Sequence, residues 1–244
     1  MKLEGPEIQP KPEQTKDVLY EVLRAELTIE ALELRKYGFD VDDDGRIKPD
    51  AFTGIFKESD IADDNFAVSD LERKFKIDGT QATKESQLLE MAILIGFNRH
   101  WFNKEFVAVR TAKLDDYTKT AGADMIIFHK ATGQALAAID TTVNPQSKAK
   151  GLQETIRFGP LIKYAYTFKE SRATKKARRY FPLFLISVKT SELAKMIGDY
   201  KKFEQNILKS LKDQCAIFPQ FPKMSTDRKE DYGEIKKILE TIKL

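Results

Sequence analysis

The chain has 244 residues, 41% of them hydrophobic and 32% charged, with nine Pro and twelve Gly. That composition excludes collagen-like, low-complexity and largely disordered classes, and the length suffices to bury a substantial core. The net charge of +3 conceals an asymmetry: Asp40–Glu72 holds eleven acids against Arg46, Lys48 and Lys57, a local −8 that leaves +11 elsewhere. Seven of the cations, Lys163, Lys169, Arg172, Lys175, Lys176, Arg178 and Arg179, fall between Lys163 and Tyr180 beside a single acid, Glu170. Such polarity suggests a partner that carries phosphates. No apolar run reaches the roughly 18 residues of a membrane span; the densest stretch is only Met91–Phe97. The opening Met-Lys-Leu-Glu-Gly-Pro lacks the apolar region of a signal peptide. One cysteine, Cys215, and two histidines argue against an internal disulfide and a structural zinc site. The expectation is a cytoplasmic protein without membrane contact.

In chain order, the first fourteen residues hold three prolines and read as a loose lead-in. Thr15–Tyr37 repeats apolar residues (Val18, Leu19, Val22, Leu23) at helical spacing, with Thr28 as cap of a second helix that Gly38 ends. The stretch to Gly79 shows no clear period and reads as short elements and loops. Glu85–Phe97 predicts a strongly apolar helix, and Phe106–Ala112 a strand. Met125–His129 and Ala135–Ile139 are two further strands, and Lys130-Ala131-Thr132-Gly133-Gln134 between them is a hairpin signal. Ser147–Ala165 looks helical, broken or kinked at Gly159-Pro160. Phe181–Val188 reads as a strand buried on both faces. One long amphipathic helix follows, capped by Ser191, with Leu193, Met196, Ile197, Tyr200, Ile207, Leu208 and Leu211 inward. Lys229–Leu244 gives a last helix burying Ile235, Ile238, Leu239 and Ile242. The fold class is mixed α/β, with a central order of helix, three strands, helix, strand.

The hairpin carries the chemistry. Asp124 precedes its first strand and Asp140 follows its second, and the midpoint falls in a three-residue loop, Ala131-Thr132-Gly133, ending in the glycine that a left-handed position favours. In that register the two carboxylates lie opposite, about 5 Å apart at Cβ, where like charges destabilise a sheet unless a cation or a proton intervenes. Mg²⁺ (or Mn²⁺) suits such an oxygen site. The alternative is that both acids mark strand ends exposed to water. Glu90 is a charge inside the apolar helix Leu88–Ile95, either on a solvated edge or as a functional acid. In Asp115-Asp116-Tyr117, Asp116 is a candidate ligand and Asp115 reads as solvated.

This order of elements and acids resembles the PD-(D/E)XK nuclease superfamily, the restriction-endonuclease-like fold, over Glu85 to Val188. The resemblance implies an αβββαβ core (84–190) between an acidic N-terminal addition (1–83) and C-terminal helices (191–244). It implies Glu90 as the helix acid, Asp124 as the second-strand acid and Asp140 as the third-strand acid, with metal held by Asp124, Asp140 and Asp116. The sequence departs from the pattern at Thr142, where the family carries the lysine that positions or activates water. Lys130 is about six strand residues, roughly 20 Å, from that position; Lys113, Lys148 and Lys150 are the cations that could reach back. The implied activity is Mg²⁺-dependent hydrolysis of DNA or RNA, with a catalytically inactive nucleic-acid- or protein-binding module as the alternative, and a homodimer by analogy.

The basic segment Lys163–Tyr180 interleaves its cations with Tyr164, Tyr166, Phe168 and Tyr180, a mixture that suits phosphate contact and base stacking. The competing reading is a solvated connection whose aromatics belong to the core. Asp40–Ile47 mimics an EF-hand loop, but its twelfth position is Ala51 instead of glutamate, so an acidic turn between two short strands is preferred. His100 and His129 read as packing or surface residues.

Overall fold

The computed structural model describes residues 12–78, 83–117, 122–170 and 172–242; the side chains of 12–15 and 147–152 lie outside the description. Helix α1, Pro12–Lys36, runs unbroken. Its buried stripe is Leu23, Leu27, Ala31 and Leu34, at helical spacing, whereas Val18 and Val22 face solvent. Thr28 does not cap a second helix, because its hydroxyl bonds back to the Arg24 carbonyl at 3.1 Å and leaves the turn intact. Gly38 ends the element at φ +87°. The acidic turn follows as expected. Val41 pairs with Ile47, and the Asp42 carboxylate accepts the backbone N–H groups of Asp44 and Arg46 at 3.0 and 2.8 Å.

The next stretch is not short elements and loops. It contains a 20-residue helix, α2, Glu58–Ile77, in which Ile61 alone is fully buried. With one inward anchor instead of a repeating stripe, the sequence had no apolar period to reveal it.

Thr83 caps α3, Lys84–Ile95, by accepting the Ser86 N–H at 3.2 Å. Leu88 through Ile95 are buried without exception, Glu90 included. A π turn, Gly96–His100, continues it. A side chain at Gly96 would stand 2.6 Å from the Trp101 ring, so that contact requires glycine. Strand β1, Phe106–Arg110, then pairs antiparallel with β2, Met125–His129, which pairs antiparallel with β3, Ala135–Thr142. Helix α4, Lys113–Tyr117, connects β1 to the segment before β2.

The register predicted from the midpoint holds at the base of the hairpin, where Met125 faces Ile139. At the tip it is reached differently. His129 donates to the Gln134 carbonyl at 2.9 Å across a four-residue loop, and a bulge at Leu136 restores the pairing. Gly133 takes φ +67°, and a Cβ there would lie 2.1 Å from the Phe168 carbonyl oxygen.

Helix α5, Pro145–Phe158, stops before Gly159, at φ +72°. The predicted helix does not continue to Ala165. Residues Leu161–Lys169 form β4 and Arg172–Tyr180 form β5, an antiparallel hairpin. Alternation explains this: Ile162, Tyr164, Tyr166 and Phe168 all point into the core at period two. Strand β6, Leu183–Ser187, returns parallel to β3, giving a four-stranded sheet in the order β1-β2-β3-β6 beside the separate β4-β5 ribbon. The chain is thus mixed α/β. Taken without α4 and the β4-β5 ribbon, its central order is helix, three strands, helix, strand.

The long C-terminal helix is two. Helix α6, Thr190–Gly198, breaks at Asp199, whose carboxylate caps α7, Tyr200–Ile217. Ser191 lies inside α6 instead of capping it. Ser225 caps α8, Thr226–Thr241, which buries Tyr232, Ile235 and Leu239. The described part of the N-terminal 83 residues shares the same hydrophobic cluster as the rest, through Leu27, Phe39, Ile47 and Phe52 among others. Among the described residues no helix is long and apolar enough to cross a membrane.

Candidate functional site

Three acids from three elements converge: Glu90 on α3, Asp116 on α4 and Asp124 just before β2. One carboxylate oxygen of each lies within 4.8 Å of the others. Backbone bonds lock the approach to β2: the Asp124 N–H donates to the Ile139 carbonyl at 2.9 Å, and its carbonyl accepts the Thr111 N–H at 3.0 Å. The Asp124 carboxylate accepts both the N–H and the hydroxyl of Thr141, each at 2.6 Å.

Glu90 and Asp124 are buried and Asp116 is partly so, and burying carboxylate charge is costly unless cations lie nearby. Two arginines supply them. Arg46 donates from Nη1 to Asp116 at 2.8 Å and from Nη2 to Glu90 at 3.1 Å. Burial opposes the charge of that guanidinium, yet Asp116, Glu90 and Asp124 together outweigh it and hold its pKa above the ordinary value. Arg110, closing β1, bonds the same Glu90 oxygen and the Asp44 carbonyl; its buried Nε has no partner. The Asp42–Arg46 turn is fastened to β1 by Ile47 N–H to the Arg110 carbonyl at 3.0 Å and Arg110 N–H to the Gly45 carbonyl at 3.2 Å.

Neither arginine was singled out from the sequence as part of this site. The available signal was a charge ending the apolar strand Phe-Val-Ala-Val-Arg, and a cation inside an acidic run. Glu90, Asp116 and Asp124 are brought together as a set. Asp140 is buried on β3, facing Leu185 of β6, and is not one of the three. Its neighbour Thr141 serves Asp124 instead. Thr142, at the position of the expected lysine, faces Ser187 and accepts the Asn144 N–H at 3.1 Å. Lys113 bonds Glu72 of α2 at 2.7 Å. The side chains of Lys148 and Lys150 lie outside the described residues.

Asp115 is not solvated. It is buried, and its carboxylate accepts the N–H groups of Lys163 and Tyr164 at 2.7 and 3.2 Å, tying α4 to β4. Burial pushes its carboxyl up to about 6 against the pull of those two donors.

The basic segment divides by face. Tyr164, Tyr166 and Phe168 are fully buried against Phe39, Phe52 and Phe56, so they cannot stack on bases. Lys163 is paired with Asp64, and Lys175 with Asp40 at 2.8 Å. Lys169 lies 3.8 Å from Glu170, and the Arg179 guanidinium sits 5.1 Å from the Phe181 ring centre. Arg172, Lys176 and Arg178, two or four residues apart on β5, share one face and are exposed. Tyr180 ends the same face and is exposed too. No protein-family model, curated protein or solved structure matches this chain.

Proposed function

We propose that the protein is a divalent-metal-dependent nuclease of the PD-(D/E)XK type that acts on DNA. The observation that carries this reading is the convergence of Glu90, Asp116 and Asp124 from a helix, a connection and a strand opening. A mixed sheet in the order β1-β2-β3-β6, with β3 and β6 parallel, agrees with it. The donors are all carboxylate oxygens, the chemistry that Mg²⁺ or Mn²⁺ prefers. A bound ion supplies Lewis-acid stabilisation of charge developing on a phosphodiester. The protein's own groups do the rest. Thr141 fixes the Asp124 carboxylate, and Arg110 neutralises Glu90 from the side of β1. Arg172, Lys176 and Arg178 hold the phosphate backbone without reading bases.

Thr142 offers no positive charge. Lys113, one turn before Asp116 on α4 and lining the same cavity as Arg46, is the candidate to supply it. Thr142 also favours a second reading, a nuclease-fold module that binds nucleic acid without cutting it. The deciding experiment incubates linear and circular DNA, and RNA, with the protein and Mg²⁺ or Mn²⁺, using EDTA, Asp124→Asn and Asp140→Ala as controls. Metal-dependent cutting lost in Asp124→Asn supports the nuclease. Retained binding without cutting transfers the function to the second reading, and cutting that survives Asp124→Asn rejects the site.

A further inference from the structure

The acidic segment 40–72 meets the functional residues at several points, and at each it offers the opposite charge. Arg46 places a guanidinium among Glu90, Asp116 and Asp124, where its side chain is only 10% exposed. Asp64 sits on Lys163, Glu72 on Lys113, and Asp40 on Lys175. Arg46, Asp64 and Lys113 line one cavity of about 120 Å³ together with Asp42, Lys48 and Asn65. A metal ion would bring positive charge to the trio, and a nucleic acid would bring negative charge to the lysines. The segment already supplies both.

From this we infer that residues 40–72 are a built-in inhibitor: Arg46 takes the place of the metal, and Asp64 and Glu72 take the place of substrate phosphates. This rests on the nuclease reading of the trio. The two halves are held differently. The turn that carries Arg46 is anchored by Val41 and Ile47, both buried, so release there is a swing of the Arg46 side chain. Helix α2 has Ile61 as its one fully buried residue, and Phe66 and Ile77 are each 75% exposed. Lifting it from Lys113 and Lys163 gives up little fully buried apolar surface, though it also breaks the bonds of Asp64 to the Tyr164 hydroxyl and of Glu72 to the Tyr117 hydroxyl, and the Phe75–Tyr117 ring contact.

The test uses the full chain, calorimetric titration with Mn²⁺, and fluorescence anisotropy with a labelled DNA duplex. Arg46→Met keeps the length of the side chain and removes the cation. It should bind Mn²⁺ about tenfold more tightly than the native protein, with Asp124→Asn abolishing the gain. Asp64→Asn with Glu72→Gln should bind the duplex about fivefold more tightly and leave Mn²⁺ affinity within about twofold, since it frees two cations without touching the trio. If native protein binds Mn²⁺ through Asp124 and Arg46→Met does not tighten it, the inhibitor is refuted while the metal site stands. If neither protein binds Mn²⁺, the metal reading fails and the inhibitor fails with it. Unchanged duplex affinity in the α2 variant overturns the phosphate-mimic half. Should Arg46→Met not fold, Arg46→Lys replaces it: a point charge cannot span Asp116 and Glu90 as the fork does, so Mn²⁺ affinity should still rise, and no rise counts against the inhibitor.

Discussion

Glu90→Ala is the perturbation that tests the charge network most directly. Glu90 accepts from Arg46 and Arg110 through one oxygen, and the side chains of all three are 8–10% exposed. After its removal Arg46 still has Asp116 and the Thr111 carbonyl, at 2.8 and 3.4 Å. Arg110 fares worse: it keeps only the Asp44 carbonyl among its described side-chain bonds, with its Nε already unpartnered. Stranding one member of a buried ion pair costs about 3–5 kcal/mol, and the Arg110 environment places this case within that range. A loss of that size is about a fifth or more of the roughly 5–15 kcal/mol that holds a typical domain folded. With a urea m-value of about 3 kcal/mol/M, the unfolding midpoint should fall by about 1–2 M. The companion variant adds Arg110→Met, which removes the stranded charge. The double variant should be more stable than the sum of the single losses implies, with a coupling of about 1–3 kcal/mol. A Glu90→Ala loss below about 1 kcal/mol, or strict additivity with Arg110→Met, would refute the network as drawn.

Three other outcomes follow from separate parts of the fold. Gly133→Ala combines a φ of +67° with a Cβ 2.1 Å from the Phe168 carbonyl, whereas Gly54→Ala has φ +94° and open space. Both incur about 1–2 kcal/mol of backbone strain, so Gly133→Ala should melt clearly below Gly54→Ala, and equal melting temperatures would discard the packing of the hairpin tip on β4. His129 is held below its ordinary pKa by burial, which Glu105 only partly offsets. A depressed histidine pKa means stability is full above about pH 6.5 and declines as the pH falls through the folded value; His129→Gln should flatten that decline in urea unfolding measured from pH 7 to pH 5, and an unchanged slope would contradict it. Arg172→Gln, Lys176→Gln and Arg178→Gln together should weaken DNA binding and reduce the slope of log Kd against log salt by about 2–3; an unchanged slope would remove β5 from the interface.

The sequence was most readable where one period governed burial. Leu88–Ile95, the β2-β3 hairpin and Phe181–Val188 announce themselves as dense apolar runs, with Glu90 the one charge inside the first. It was least readable in α2, where a single inward residue leaves nothing periodic to detect. The hairpin β4-β5 was hidden for another reason. Its inner strand alternates, but Leu161 and the buried Ala165 blur the pattern at the intervening positions, and β5 has only Ala173 buried. Glu90, Asp116 and Asp124 were each nameable as candidates from local context. Their assembly was not, because Arg46, 44 residues before Glu90, joins them by a tertiary contact that no spacing encodes. Asp115 and Asp116 illustrate the limit most sharply: adjacent acids on one short helix have opposite surroundings, one bonded to Arg46 and the other pinning β4.

The cluster's contacts bear on the proposed function as well as on stability. Arg46 bonds Glu90 and Asp116, Arg110 bonds Glu90, and Thr141 bonds Asp124. A network that served only to hold α3, α4 and β1 together could often be replaced by apolar side chains of similar volume with a neutral or stabilising effect. The two arginine side chains differ in their surroundings. That of Arg110 bonds Glu90 and the Asp44 carbonyl, while that of Arg46 spans Glu90 and Asp116 and borders a cavity. On the proposal that a divalent ion and Arg46 compete for the same carboxylate oxygens, Arg46→Met should raise Mn²⁺ affinity, and an unchanged affinity would refute that competition.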